Sequence, residues 1–208
     1  MLLIMLGTPT RDRQAERREA TRAEILDAAW AIAQEKALTD LTLRDVAEAI
    51  GMQAPSLYSY FPSKNAIYDA MFGQAWSQYL AVLDELEATL PKAARPGMKA
   101  IARTFFDFAV AVPARHQLMN ERVIPGFVPS PESYAPAVEV FERTRSHMAR
   151  YGVTKPEHFD LCIAMIGGLI NAQLANDPGG DRWARLLDQA VDMFADHLGI
   201  PGSRRRTR

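Results

Sequence analysis

The chain has little of what several function classes require. Of its 208 residues one is a cysteine, Cys162, so no disulfide framework can staple it, and a reducing, cytoplasmic compartment is expected. The four histidines, His116, His147, His158 and His197, are scattered and give no zinc-ligand spacing. No nucleophile–base–orienter set, H-E-x-x-H or E-x-x-H motif, or glycine-rich phosphate loop is present, so neither catalysis nor a cofactor is expected. No apolar run is read as long enough to cross a bilayer, and "MLLIMLG" lacks the basic flank and cleavage site of a signal peptide. That segment is expected to be a disordered or packed tail, with a start codon placed too early as one origin for it. An excess of positive charge is missing too: 24 Lys and Arg stand against 25 Asp and Glu, so any nucleic-acid binding must come from local arrangement. Strand-like alternation is nowhere sustained.

What remains is helical periodicity throughout. The pattern predicts helices at about 12–36, 43–50, 54–60, 64–90 (with Gly73 as a weak point), 98–112, 113–123, 134–151, 156–176 and 182–198, the last capped by Asp181. "PKAARPG" and "NDPGGD" read as turns, and "VIPGFVPSPESYAP" as the longest irregular loop. The expected fold is all-α: an N-terminal three-helix helix-turn-helix domain joined to a larger C-terminal helical bundle, about nine helices in all. The expected divisions are 1–20 a tail or arm, 21–66 the helix-turn-helix domain, 67–200 the larger bundle, and 201–208 a basic tail.

The segment 43–60 has the spacing of two short helices around a tight corner at Gly51 and Met52. Gly51 can take the positive φ that such a corner needs, and Thr42 can cap the first helix. No Asp or Glu occurs from Ala49 to Tyr68, while Ser56, Tyr58, Ser59, Tyr60, Ser63 and Lys64 all offer donors that suit phosphate oxygens. Residues 88–106 are also acid-free, so this gap alone proves little. Residues 1–65 carry eight basic and nine acidic side chains, which argues for few phosphate contacts per subunit and for dependence on dimerisation. Arg11, Arg13, Arg17 and Arg18 could form a minor-groove arm, but a solvated helix start interleaved with Asp12, Glu16 and Glu19 is preferred.

The longer string "RAEILDAAWAIAQEKALTDLTLRDVAEAIGMQAPSLYSYFPSKNAIYDAMF" resembles the DNA-binding domain of the TetR (tetracycline-repressor-like) family of transcriptional regulators. The resemblance rests on the Ile-Leu-x-Ala-Ala of helix 1, Thr42, Asp45-Val46-Ala47, Gly51-Met52, Leu57-Tyr58, Tyr60-Phe61 and Pro62-Ser63-Lys64. It covers about 50 residues; the remainder matches in helix pattern and length only. It implies that Thr42, Tyr58, Tyr60 and Lys64 contact phosphates, that Gln53, Ala54, Ser56 and Ser59 face bases, and that Arg44 reaches either. Gln53 stands where the family often has a capping Ser and Pro55 where it often has Gly, so the recognition helix should be poorly capped.

The resemblance further implies a homodimer on a palindromic double-stranded operator, a small-molecule effector, and repression relieved by that effector. Helices 8 and 9 are too apolar to face water. Their stripes, with Phe159, Ile163, Ile166, Gly167, Ile170, Trp183, Leu187, Ala190 and Phe194, read either as intramolecular core or, by the resemblance, as the dimer interface. Close packing is the expected reason for Gly167-Gly168. Phe105, Phe108, Met119 and Phe127 read as core or as an effector cavity, with His116, Asn120, Arg122 and Asn171 as polar candidates for orienting a ligand. A helical interaction module without DNA binding and an α-bundle enzyme are the competing readings. "SRRRTR" reads as a tail away from DNA, and no metal and no membrane partner are expected.

Overall fold

A computed structural model describes residues 12–202. Nine α-helices are present among them: α1 (Arg13–Glu35), α2 (Leu43–Ala49), α3 (Ala54–Leu57), α4 (Lys64–Thr89), α5 (Ala94–Ala111), α6 (Pro113–Asn120), α7 (Pro131–Arg150), α8 (Pro156–Asn176) and α9 (Leu187–His197). Two 3₁₀ turns, Leu38–Asp40 and Ala184–Leu186, complete the described elements, and no strand occurs among the described residues. The predicted Arg11, "MLLIMLG" and "SRRRTR" segments lie outside them.

Side-chain chemistry sets the boundaries. Asp12 caps α1 by accepting from the Gln14 and Ala15 amides at 3.0 and 3.1 Å. Arg13–Ala20 are therefore the first turns of a helix and not part of a tail. Ser63 caps α4 through the Ala66 amide at 3.1 Å, and α4 then runs unbroken through Gly73. A Cβ at Gly73 would stand 3.2 Å from Ser133 Cα, so glycine here sets how closely α7 lies on α4. Helix α5 begins at Ala94, earlier than its Pro-Gly signal suggests. Pro96 sits in the first turn, where no amide is needed, and a Cβ at Gly97 would overlap the Tyr151 ring. Asp181 does not cap α9. The Asp177 carboxylate accepts from the Arg182 amide instead, and α9 starts at Leu187 after the 3₁₀ turn.

Two buried clusters form the interior. One joins α1–α4, α6 and α7 around Ile25, Leu38, Leu57, Phe61, Tyr68 and Met71. The other joins α5, α8 and α9 around Met98, Phe106, Ile170, Leu187 and Val191. Helix α4 is the common strut: its first half closes the N-terminal core, and its second half packs along α7. Helix α8 corrects one expectation, because by length and composition it is apolar enough to cross a membrane. One of its faces packs Phe159, Cys162, Ile166 and Ile170 into the second core.

Candidate nucleic-acid interface

The helix-turn-helix is present at the predicted place. Thr42 Oγ1 accepts from the Asp45 amide at 3.1 Å and caps α2. The corner turns at Gly51, whose φ of 65° lies in the left-handed region. Gln53 precedes α3 and makes no capping bond with its side chain, in line with the departure noted in the sequence. Helix α3 is a single turn. From Ser56 to Tyr60 the chain tightens into i→i+3 bonds, Ser59 N to Ser56 O at 3.2 Å and Tyr60 N to Leu57 O at 2.9 Å, and the Ser59 hydroxyl also donates to the Ser56 carbonyl at 2.7 Å. The predicted helix to residue 60 is thus a helix to Leu57 followed by a turn.

Leu57 and Phe61 are buried and anchor this element, while Gln53, Ser56, Tyr58 and Ser59 are exposed and Ala54 is half-buried. Tyr58 is 53% exposed, a large ring left in solvent at the end of α3. Tyr60 is half-buried beneath the Arg18 guanidinium, 5.1 Å above its ring. Lys64 does not float free: its ammonium donates to the Thr39 carbonyl at 2.7 Å and lies 5.4 Å from the Tyr68 ring centre. The Tyr68 hydroxyl donates to the Leu38 carbonyl, and burial pushes its pKa up to about 12. Arg44 is exposed beside Asp45. A hydrogen bond from Lys36 at 3.1 Å holds the Asp45 carboxyl below the usual range, so this acid is already paired on a surface that would meet phosphates.

Sequence reasoning missed Arg22 and gave Arg18 a different role, an arm or a solvated helix start. Arg18 donates to the Ser59 carbonyl and Arg22 to the Tyr60 carbonyl, both at 2.6 Å, and Arg22 lies 4.2 Å over the Phe61 ring. They fasten α1 to the end of the recognition element, where carbonyls lack helical partners. Arg13, Arg17 and Arg18 belong to α1 and form no arm.

Further along α4 lies an apolar cavity of about 70 Å³ between α4, α5, α7 and α8. Trp76 and Tyr79 line it from α4, Phe105 from α5, Thr144 from α7, and Phe159 and Cys162 from α8. Burial pushes the Cys162 thiol up to about 11, so it stays protonated. Of the predicted ligand residues, Phe105 and Asn120 line this cavity. Met119, Asn120, Arg122 and Phe127 line a separate groove beside Tyr134. Phe108 packs on the Tyr79 ring at 5.0 Å and under Arg115. His116 is buried away from both, its ring nitrogens 3.0 Å from Asn171 and 3.2 Å from Asn120, which ties α6 to α8. Between interface and cavity, Asp69 of α4 accepts from Ser130 N at 2.6 Å and from the Ser130 and Ser133 hydroxyls at 2.9 Å, clamping the start of α7.

Residues 25–71, from α1 into α4, match the sequence profile of bacterial regulatory proteins of the tetR family. Over this segment the chain is similar to the DNA-binding domain of TetR-family transcriptional regulators. A Mycobacterium tuberculosis protein named as a candidate transcriptional regulator of mycofactocin biosynthesis, MftR, is 27% identical over 143 residues, 69% of this chain and 69% of that protein. The fold is similar to that of a TetR-family regulator from Marinobacter aquaeolei VT8, with a TM-score of 0.63 and 18% identity over 88% of this chain and 97% of the other. It is also similar to FadR of Bacillus subtilis, solved with stearoyl-CoA, with a TM-score of 0.61 and 14% identity over 83% of this chain and 96% of the other. At these identities the two structures speak to fold alone.

The residues predicted for a dimer interface divide by burial. Phe159, Ile166, Ile170, Leu187 and Phe194 are buried within the chain's own core. Ile163 remains 42% exposed, and Gly167, Trp183 and Ala190 are half-buried. Other apolar groups face outward on the same helices: Leu161 and Ala164 on α8, and Met193 on α9. Gly167 and Gly168 meet no atom within 4 Å of an added Cβ, so close packing inside the chain is not their reason.

Proposed function

We propose that this chain is a TetR-family regulator, a homodimeric repressor that binds a palindromic operator and is released by a small molecule held in the cavity between α4, α5, α7 and α8. The observation that carries the reading is the continuity of α4. One rigid helix begins at the predicted DNA-contact residue Lys64, seals the N-terminal core with Ile67, Tyr68 and Met71, and continues to Trp76 and Tyr79 in the cavity wall. A ligand that widens the cavity pushes on α4, and α4 carries the recognition element with it. Such a ligand binds better to the conformation that cannot span the operator, which is the thermodynamic requirement for release.

Thr42, Tyr58, Tyr60 and Lys64 are assigned to phosphates, Gln53, Ala54, Ser56 and Ser59 to base edges, and Arg44 to either. Residues 21–66 act as the DNA-binding unit and 67–200 as the effector-binding and dimerisation unit. The partner surface is the outer face of α8 and α9, lined by Leu161, Ile163, Ala164, Gly168 and Met193. Only 28% of the most apolar stretch of α8 is buried within the chain. A second copy is its proposed cover, because two recognition elements about one DNA turn apart read a two-fold site. The chain acts in the cytoplasm and by binding, not turnover.

The test is selection of retained sequences from random duplex DNA, followed by counting chains per duplex and a release screen with small molecules. An inverted repeat bound by an even number of chains is expected. Lone subunits that ignore every duplex at low ionic strength would overturn the proposal.

A further inference from the structure

Resting on the effector reading of the cavity, the chemistry of its wall says what kind of molecule fits. Among the residues lining it there is no Lys, Arg, His, Asp or Glu. An ion entering it would lose its hydration without a counter-charge, at a cost no apolar contact offsets. Asn120 and Thr144 bring polar groups that can accept as well as donate, and α4 adds two aromatic donors. Trp76 and Tyr79 stand nearly one turn apart on α4, each 2% exposed. The Trp76 indole N–H is buried and has no hydrogen-bond partner. A buried donor left unpaired is rare in a folded chain and costs stability until an acceptor reaches it. Burial raises the Tyr79 hydroxyl well above its ordinary value, so that group keeps its proton and meets a ligand as a donor.

We propose that the cavity takes a neutral, hydrocarbon-rich molecule carrying a carbonyl or ether oxygen, and that the Trp76 N–H, assisted by the Tyr79 hydroxyl, donates to that oxygen. The rest of the ligand lies against Phe105, Phe159 and Ile166. As it stands the cavity is about 70 Å³, less than half of the ~150 Å³ that accommodates a single benzene ring in a protein core. A one-ring ligand therefore enters by displacing Met98 and Met148, which flank the space and are unbranched and easily repacked. Met148 stands on α7 opposite Trp76 and Tyr79 on α4, so filling the space parts the two helices.

The experiment uses the full chain and one- and two-ring ketones, each with its hydrocarbon and its carboxylate counterpart. Affinity is read by titration, and contact with Trp76 by the ¹⁵N–¹H signal of its indole, assigned with Trp76→Phe. The ketones are expected to bind about tenfold more tightly than the matched hydrocarbons, the scale of one satisfied hydrogen bond, and to move the Trp76 indole proton downfield. The carboxylates are expected not to bind. Trp76→Phe removes most of the ketone's advantage and leaves hydrocarbon affinity intact, and Tyr79→Phe removes a smaller part. Equal binding of ketone and hydrocarbon, binding of the carboxylates, an advantage that survives Trp76→Phe, or binding by no member of the set would each overturn the inference. Duplex affinity is measured separately with the same ketones. If they bind as described but leave the duplex bound, this inference stands and the release reading fails.

Discussion

Asp69 is the first acid after the long acid-free stretch that ends at Tyr68, and its partners, Ser130 and Ser133, are at the start of α7. Changing it to Ala strands the Ser130 amide and frees two hydroxyls. The hydroxyls can turn to solvent, since both serines are half-buried, so the main loss is one poorly solvated amide together with part of the cap on α7. A stranded buried donor costs about 1–3 kcal/mol and a lost cap about 1 kcal/mol. Partial solvent access offsets some of this, which leaves about 2 kcal/mol. For a chain of this size each kcal/mol moves Tm by about 2–4 °C, so Asp69→Ala should melt about 4–8 °C below wild type. Asp69→Asn keeps an acceptor for the Ser130 amide and should lose less than half as much. Thermal unfolding by circular dichroism gives the shift, and hydrogen exchange at Ser130–Tyr134 locates it. An Asp69→Ala protein that melts with wild type and shows unchanged exchange there would refute the clamp as a strut between α4 and α7.

Gly51→Ala should cost about 1 kcal/mol in urea unfolding. The added methyl group meets nothing within 4 Å, so the cost is that of left-handed backbone alone. Gly168→Glu places a charge on the open face of α8 and improves helix propensity. Sedimentation should show a folded monomer with little duplex affinity, and a persistent dimer would move the partner surface elsewhere. Hydrogen bonds from Arg143, joined by one with His147, hold the Glu87 carboxyl below its ordinary value of 4.5. That contribution to stability is complete above about pH 4.5 and is lost as pH falls through the lower native value. Urea unfolding of Glu87→Gln should therefore depend less on pH over that acid range than unfolding of wild type.

Local signals carried much of the fold. Pro156 at a first turn and the apolar period that follows gave the bounds of α8 outright, and Gly51 between two short apolar stripes gave the corner of the helix-turn-helix. Punctuation failed where a tertiary contact needed it. Pro96 and Gly97 read as a turn, yet Gly97 is small because the Tyr151 ring lies on it, and Gly73 is small because Ser133 does. The wall of the cavity was partly legible, since Phe105 and Asn120 were among the residues expected to line it. That Trp76 lacks an acceptor was not, because an unpaired donor is a property of the packed neighbours. The roles of Arg18 and Arg22 were hidden for the same reason: a basic run beside acids looks solvated until α1 is laid against the turn after α3.

The central claim is that the surface from Gln53 to Lys64 holds duplex DNA. The most direct measurement is duplex affinity as a function of salt for wild type, Lys64→Ala and Tyr58→Ala. Wild-type affinity should fall steeply with salt. Lys64→Ala should bind more weakly, with a slope shallower by about one counterion per subunit, while Tyr58→Ala should lose affinity with a smaller change in slope. Variants that fold, dimerise and bind every duplex with wild-type affinity and slope would contradict the account.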